Sequence, residues 1–244
     1  RVLKADPAED GVVYGGLADI ANWADSYERG PKHYVNVPRD ARSVDVDRDC
    51  PHDACAIGAI DEAVRVLKGG APKIQSAGKR GKEKAARRTR AQEEARALAE
   101  LVHYVGDLHQ PLHVSYEDDR GGNSVEVHTD RLGGHSVKSN LHKVWDSVLI
   151  EAQIAEDTEG ELAAFEKRLN RGIADKDKAS WKANLDPVAW ANESLAHTIR
   201  IYQSLASNGP VIGDCYYREN IATVDAQLQK AGIRLAALLN QIAR

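Results

Sequence analysis

The sequence predicts an all-α fold in a single domain, with one short β-hairpin or loop insertion. Most of the chain falls into segments that repeat apolar residues at three- and four-residue intervals, the period of an amphipathic helix. Strand-like stretches are confined to two brief pieces, KHYVNV at 32–37 and NSVEVHTD at 123–130. No linker divides the 244 residues, and at 42% hydrophobic content that length supports one core burying roughly 70–75% of the unfolded surface.

From Leu17, LADIANWADSYER reads as an amphipathic helix carrying Trp23 and Asp25, stopped by Gly30 and Pro31. Lys32 to Val37 is a short extended piece with His33 and Tyr34. A polar loop then leads to a helix from His52 to Lys68, closed by Gly69 and Gly70. After a loop between Lys73 and Gly81, a charged helix begins. Residues 79–90 hold seven basic side chains against one acidic, which reads as a solvated face, or as a nucleic-acid contact if it faces an active site. The helix continues through Gln92 to His109 with Leu98, Leu101, Val102, Val105 and Leu108 as its apolar stripe. It cannot pass Gln110, because Pro111 lacks an N–H and disfavours helical geometry in the residue before it. Ser115 to Ser139 is loop or hairpin, turning at Gly121, Gly122 and Asn123. Beyond it, Leu141, Val144, Trp145 and Val148 form one helix face, and His142, Asp146 and Leu149 the other. Glu159 to Asn170, Val188 to Ser207 and Glu219 to Ala243 complete the helices, with Gly232 expected to permit close helix packing. Trp23, Trp145 and Trp190 are core residues by this reading.

With 33 basic and 37 acidic side chains the net charge is -4, so the protein as a whole is no polyanion binder. No apolar run approaches the ~18 residues of a membrane span, and no signal peptide is visible. The chain has no Met and enters at Arg1 directly into a charged segment, which leads us to expect that something upstream is missing. Cys50 and Cys55 close a short loop in which a disulfide would contribute roughly 2 kcal/mol. Spacing alone fits three reduced cysteines equally well, and Cys215 has no obvious partner.

The chemistry concentrates in LVHYVGDLHQPLHV, residues 101–114. His103 and Asp107 are four apart on a helix, so their Cβ atoms lie ~5–6 Å apart on one face. His113 arrives from another direction beyond Pro111. Two imidazoles and a carboxylate converging in this way suit a zinc ion with nitrogen and oxygen ligands. The same spacing recurs at His142 and Asp146 in NLHKVWD. His109 sits on another helix face and reads as a residue that supports the ligands from behind or as a purely structural one. His52, His128, His135 and His197 read as ordinary surface or capping histidines.

In order along the chain stand WAD at 23–25, KHY at 32–34, RDC at 48–50, H-x3-D-x5-H from 103 to 113, GGN at 121–123, NLHKVWD at 140–146, WANES at 190–194 and AGIRLAALLN near the C-terminus. The series resembles the zinc-dependent single-strand-specific nuclease family of fungi, plants and bacteria, named after nucleases S-one and P-one. The resemblance implies a mostly helical domain, of the type shared with phospholipase C, that holds three zinc ions. By it, Asp25, His33, His103 and Asp107 hold the first zinc, His113, His142 and Asp146 the second, and Asp107 bridges to the third. The family completes that third site with an N-terminal Trp and a nearby His. No such segment occurs here, so the third site is expected to be incomplete.

The resemblance further implies hydrolysis of phosphodiester bonds in single-stranded RNA and DNA, with removal of 3'-phosphate from nucleotides. Asp25 would orient the attacking water or take its proton. Tyr34 would stack on a base, although half-buried packing explains it as well. Asn36 stands where fungal members have a base-reading Asp, so base preference does not transfer. Asn123 would hold phosphate or base, and GGN is equally an ordinary turn. Cys50 and Cys55 match a short disulfide of the family, implying a secreted or periplasmic location. Two rivals remain: a zinc-dependent phospholipase C, which usually has Glu where this chain has Asp146, and a non-catalytic, metal-stabilised binding protein.

Overall fold

The computed structural model describes residues 16–27, 30–72, 88–130, 137–158 and 160–244. The chain is mostly helical, as expected, with a few short strands. Helix α1 (Leu17–Tyr27) is followed by a 3-10 turn at Pro31–His33 and strand β1 (Val35–Val37). Short helix α2 (Val46–Asp49) and a 3-10 turn at Pro51–Asp53 lead into α3 (Ala56–Leu67) and the long α4 (Arg90–His109). A third 3-10 turn, Pro111–His113, runs into β2 (Val114–Tyr116), and β3 (Glu126–Thr129) and β4 (Val137–Asn140) follow. Helix α5 (Leu141–Lys143) widens into a π-helical turn (Val144–Val148) and resumes as α6 (Leu149–Thr158). Then come α7 (Leu162–Arg171), α8 (Asp175–Ala183), α9 (Pro187–Asn208), β5 (Val211–Ile212) and α10 (Asp214–Ile242).

The principal core joins Ile57, Ile60 and Val66 of α3, Leu101, Tyr104, Val105 and Leu108 of α4, both strands β1 and β2, and Trp190 and Leu195 of α9. A second cluster packs Leu141, Val144, Trp145 and Leu149 against Ile201, Tyr216, Tyr217 and Val224. A small third one holds α1 onto α4 through Ile20, Trp23 and Ala24 against Leu98 and Ala99. All three tryptophans expected in the core are buried.

Local chemistry sets the ends of the elements. Thr89 and Gln92 form a capping box that starts α4, each side chain satisfying the other's backbone N–H. Arg90 reaches the Val66 and Gly70 carbonyls at the end of α3, both at 2.6 Å. The rest of the basic run, 79–87, lies outside the described residues, as does His135. Helix α3 starts four residues later than its spacing suggested, because His52 and Asp53 take left-handed backbone angles (φ 59) after Pro51. Helix α8 has no buried residue and hence no apolar stripe by which the sequence would announce it. Gly232 does not serve close packing, since a Cβ there would meet nothing within 4 Å. Leu149 leaves the face assigned to it and is buried in the second cluster. The π turn takes up an extra residue, so the 3.6-residue period slips out of phase beyond it.

Two sheets matter for the site. Strands β1 and β2 pair in parallel, with Val35 opposite Val114. Each follows a Pro-x-His 3-10 turn, PKH at 31–33 and PLH at 111–113, so the pairing brings two histidine-bearing turns side by side. Strand β3 pairs antiparallel with β4, the expected hairpin, and in parallel with β5.

Candidate metal centre

The seven side chains singled out as ligands converge from α1, two 3-10 turns, α4 and the α5–π segment. In the first group, His33 Nδ1 lies 3.0 Å from His103 Nε2 and 2.9 Å from Asp107 Oδ2. His103 Nε2 is also 3.0 Å from Asp107 Oδ2. Asp25 completes this group from the rim, its Oδ1 3.8 Å from His103 Nε2 and its side chain 72% exposed.

In the second group, Asp146 offers Oδ1 to His113 Nε2 and Oδ2 to His142 Nε2, each at 3.3 Å. The two imidazoles stack with centroids 5.0 Å apart. Each has its other nitrogen held by the main chain: His113 Nδ1–H donates to the His33 carbonyl and His142 Nδ1–H to the Gly121 carbonyl, both at 2.8 Å. With Nδ1 held in this way, both rings turn Nε2 towards Asp146. Asp107 links the groups, since its Oδ1 lies 3.3 Å from His113 Nδ1.

This donor set fits zinc. Two ligand atoms bound ~2.0–2.1 Å from a tetrahedral ion lie ~3.3 Å apart, the spacing seen around Asp146. Sulfur is absent from both groups. Burial pushes the Asp107 carboxyl up, but His113, His103 and His33 outweigh it and hold the group well below the usual carboxylate range. Burial likewise pushes His113 down, and Asp107 and Asp146 reverse the effect, raising it to about 9. The electrostatics are therefore those of anionic carboxylates gathered around imidazoles, a field that favours a cation.

Several positioning residues gave no separate signal in the sequence. Gln110 accepts from the Leu112 N–H and donates to Asp146 Oδ1, both at 2.5 Å. The carbonyls at the end of α4 are caught by α9 and α10. Ser194 Oγ donates to Leu108 O (2.7 Å), Gln227 Nε2 to His109 O (2.8 Å) and Thr198 Oγ1 to Pro111 O (2.5 Å). These bonds satisfy helix-end carbonyls that would otherwise lack partners and so fix the turn that carries His113. His109 lies behind the ligands, in the hydrogen-bond network that fixes the end of α4. It is buried, donates from Nδ1 to Val105 O (2.7 Å) and accepts at Nε2 from Arg234 (2.9 Å), whose guanidinium also pairs with Glu193 and lies over Trp190. WANES and AGIRL thus meet in one network behind the site.

A cleft of about 380 Å³ opens beside the ligands, with Asp25, Asp107, His113 and Asp146 at its polar end and Trp145, Ile150, Val224 and Leu228 along its apolar wall. Tyr34 is 37% exposed, Asn36 is half-buried in β1, and Asn123 is exposed at the glycine turn. None of the three lines that cleft. Cys50 and Cys55 form the disulfide, and Cys215 is free and exposed. Among the described residues, no helix is long and apolar enough to cross a membrane.

Residues 6–244 match the family described as S1/P1 Nuclease. Endonuclease 2 of Arabidopsis thaliana is 32% identical over 93% of this chain and 78% of its own length. Nuclease S1 of Aspergillus oryzae is 28% identical over 93% of the chain and 79% of its own. For Nuclease P1 of Penicillium citrinum the figures are 27%, 93% and 84%. With the match running over nearly its whole length, the chain belongs to the S1/P1 nuclease family.

Proposed function

We propose that this protein is a zinc-dependent phosphodiesterase that cuts single-stranded RNA and DNA endonucleolytically and removes 3'-phosphate from nucleotides. The observation that carries the reading is the convergence of Asp25, His33, His103 and Asp107 in one group and His113, His142 and Asp146 in another, sharing Asp107. Family membership supports nucleic acid as the substrate.

Zinc bound by these ligands would lower the pKa of a water towards about 7 and offset the charge that develops on phosphate oxygens. The protein's own groups do the rest. Asp25 stands open to solvent at the rim, where its carboxylate orients the water that attacks phosphorus in line and takes its proton. Tyr34 follows His33 directly and keeps its ring accessible, so a base can stack on it for ~1–3 kcal/mol. A base inside a duplex cannot reach such a ring, which gives the preference for single strands. Asn123, in the turn that holds His142, would hold a phosphate or base edge. The disulfide supports a secreted or periplasmic location.

The test is zinc analysis together with assays on single-stranded RNA, single-stranded DNA, a 3'-nucleotide and a phosphatidylcholine, each with and without chelator. Bound zinc and chelator-sensitive cleavage of the first three are expected. Full activity in chelator, or hydrolysis of the phospholipid alone, overturns the reading. Bound zinc with no hydrolysis of any substrate favours a metal-stabilised binding protein.

A further inference from the structure

We propose that Asp119 is a positioning residue for the His113, His142 and Asp146 group, acting on His142 through a single peptide unit. The inference rests on the zinc reading above. The Gly121 carbonyl and the Gly122 N–H belong to one planar peptide and point in opposite directions. His142 Nδ1–H donates to that carbonyl at 2.8 Å, and Asp119 Oδ1 accepts from that N–H at 2.8 Å. The plane is therefore gripped from both sides.

It needs the grip. Gly121 and Gly122 have φ of 63° and 83°, and a peptide flanked by two glycines turns over at little steric cost. Turned over, it would present an N–H to His142 Nδ1, and the imidazole would have to move its proton to Nε2, the atom that faces Asp146. The Asp119 carboxylate is itself fixed: its Oδ2 accepts from the Tyr202 hydroxyl at 2.7 Å and from Arg39 at 2.8 Å, and its side chain is 13% exposed. The Arg39 guanidinium lies over the rings of Tyr116 and Tyr202, 4.5 and 5.2 Å from their centroids. The loop after β1 and helix α9 are thus tied to the His142 imidazole.

Zinc titration against a competing chelator, paired with imidazole nitrogen NMR of the metal-free protein, tests this. Asp119→Ala is expected to weaken zinc at the second group ~10–100-fold while the first group keeps wild-type affinity, and the Nε2–H tautomer of His142 should appear. Asp119→Asn, which keeps an acceptor for the Gly122 N–H, should recover most of the loss. If Asp119→Ala does not fold, Tyr202→Phe and Arg39→Gln each remove one support of the carboxylate and should weaken the same group about fivefold, the weight of one hydrogen bond. Wild-type affinity and an unchanged tautomer in these variants overturn the proposal, as does equal weakening at both groups. A wild-type chain that binds no zinc sinks the zinc reading instead, so the two failures are distinct.

Discussion

The two halves of the candidate metal centre are built differently. In the second half both imidazoles have Nδ1 fixed by backbone carbonyls, and Asp146 is steadied by Gln110. The first half is assembled by side chains against one another: His33 and His103 meet at Asp107, and Asp25 stands 3.8 Å off on a helix held by a small apolar cluster. A site held by the main chain is rigid before metal arrives. A site that borrows a ligand from a peripheral helix depends on that helix staying docked. The more open half is also the one that carries the proposed proton acceptor, which must meet solvent to work.

The largest effect should come from the residue that belongs to both halves. Asp107→Asn keeps the shape of the side chain and removes its charge. Both zinc equivalents should weaken together and kcat/KM should fall at least roughly a thousandfold, about 4 kcal/mol of barrier. If only one equivalent is lost, Asp107 does not link the groups. Next in size is Gly121→Ala, which acts on the second half alone. Its Cβ would lie 2.7 Å from the Leu112 carbonyl oxygen at a backbone φ of 63°, so the turn must shift and its own carbonyl with it. The second group should lose ~10–100-fold in zinc affinity with the first unchanged, as competition titration would read.

Trp23→Ala probes the other half. Removing a buried Trp costs ~3–5 kcal/mol where the whole domain must absorb it. Here α1 can detach locally, so the melting temperature should barely move. Zinc at the first group should weaken about tenfold while the second keeps its affinity. A large drop in melting temperature would show that α1 is integral to the main core and would erase the contrast.

What could be read in the sequence divides along a similar line. His103 with Asp107 and His142 with Asp146 are legible because i,i+4 spacing on a helix makes them neighbours whatever the rest of the chain does. His113 was announced by Pro111. Asp25 and His33 were assigned only by resemblance, since nothing local ties them to α4. The pairing of β1 with β2, which seats the His33 carbonyl against His113, involves three residues a side and leaves no periodic trace. The π turn has no composition of its own, so Leu149 departs from the face its spacing predicts. The supports reaching in from Asp119, Ser194, Thr198, Gln227 and Arg234 depend on long-range packing. Their residue types are ordinary ones until the fold brings them to a helix end or a glycine turn.

A last comparison is between two imidazoles four residues apart. His109, buried beside Arg234, has its pKa lowered by burial and by that guanidinium to about 4. His113, buried between Asp107 and Asp146, is raised to about 9. Between about pH 4 and 6.5 the unfolded chain takes up a proton that folded His109 refuses, so stability falls as pH falls through that window, by up to roughly 3 kcal/mol. For His113 the sign reverses: its contribution to the metal-free protein is complete below about 6.5 and is lost as pH rises through about 9. Thermal denaturation of the metal-free protein across pH 4–9 should therefore show two limbs of opposite slope. His109→Gln should flatten the acid limb and His113→Gln the alkaline one. Zinc should abolish the alkaline limb and steepen the acid one, because each imidazole it binds has already given up its proton. An alkaline limb that survives saturation with zinc would mean that His113 is not a ligand, and the preformed half of the centre would lose one of its two fixed imidazoles.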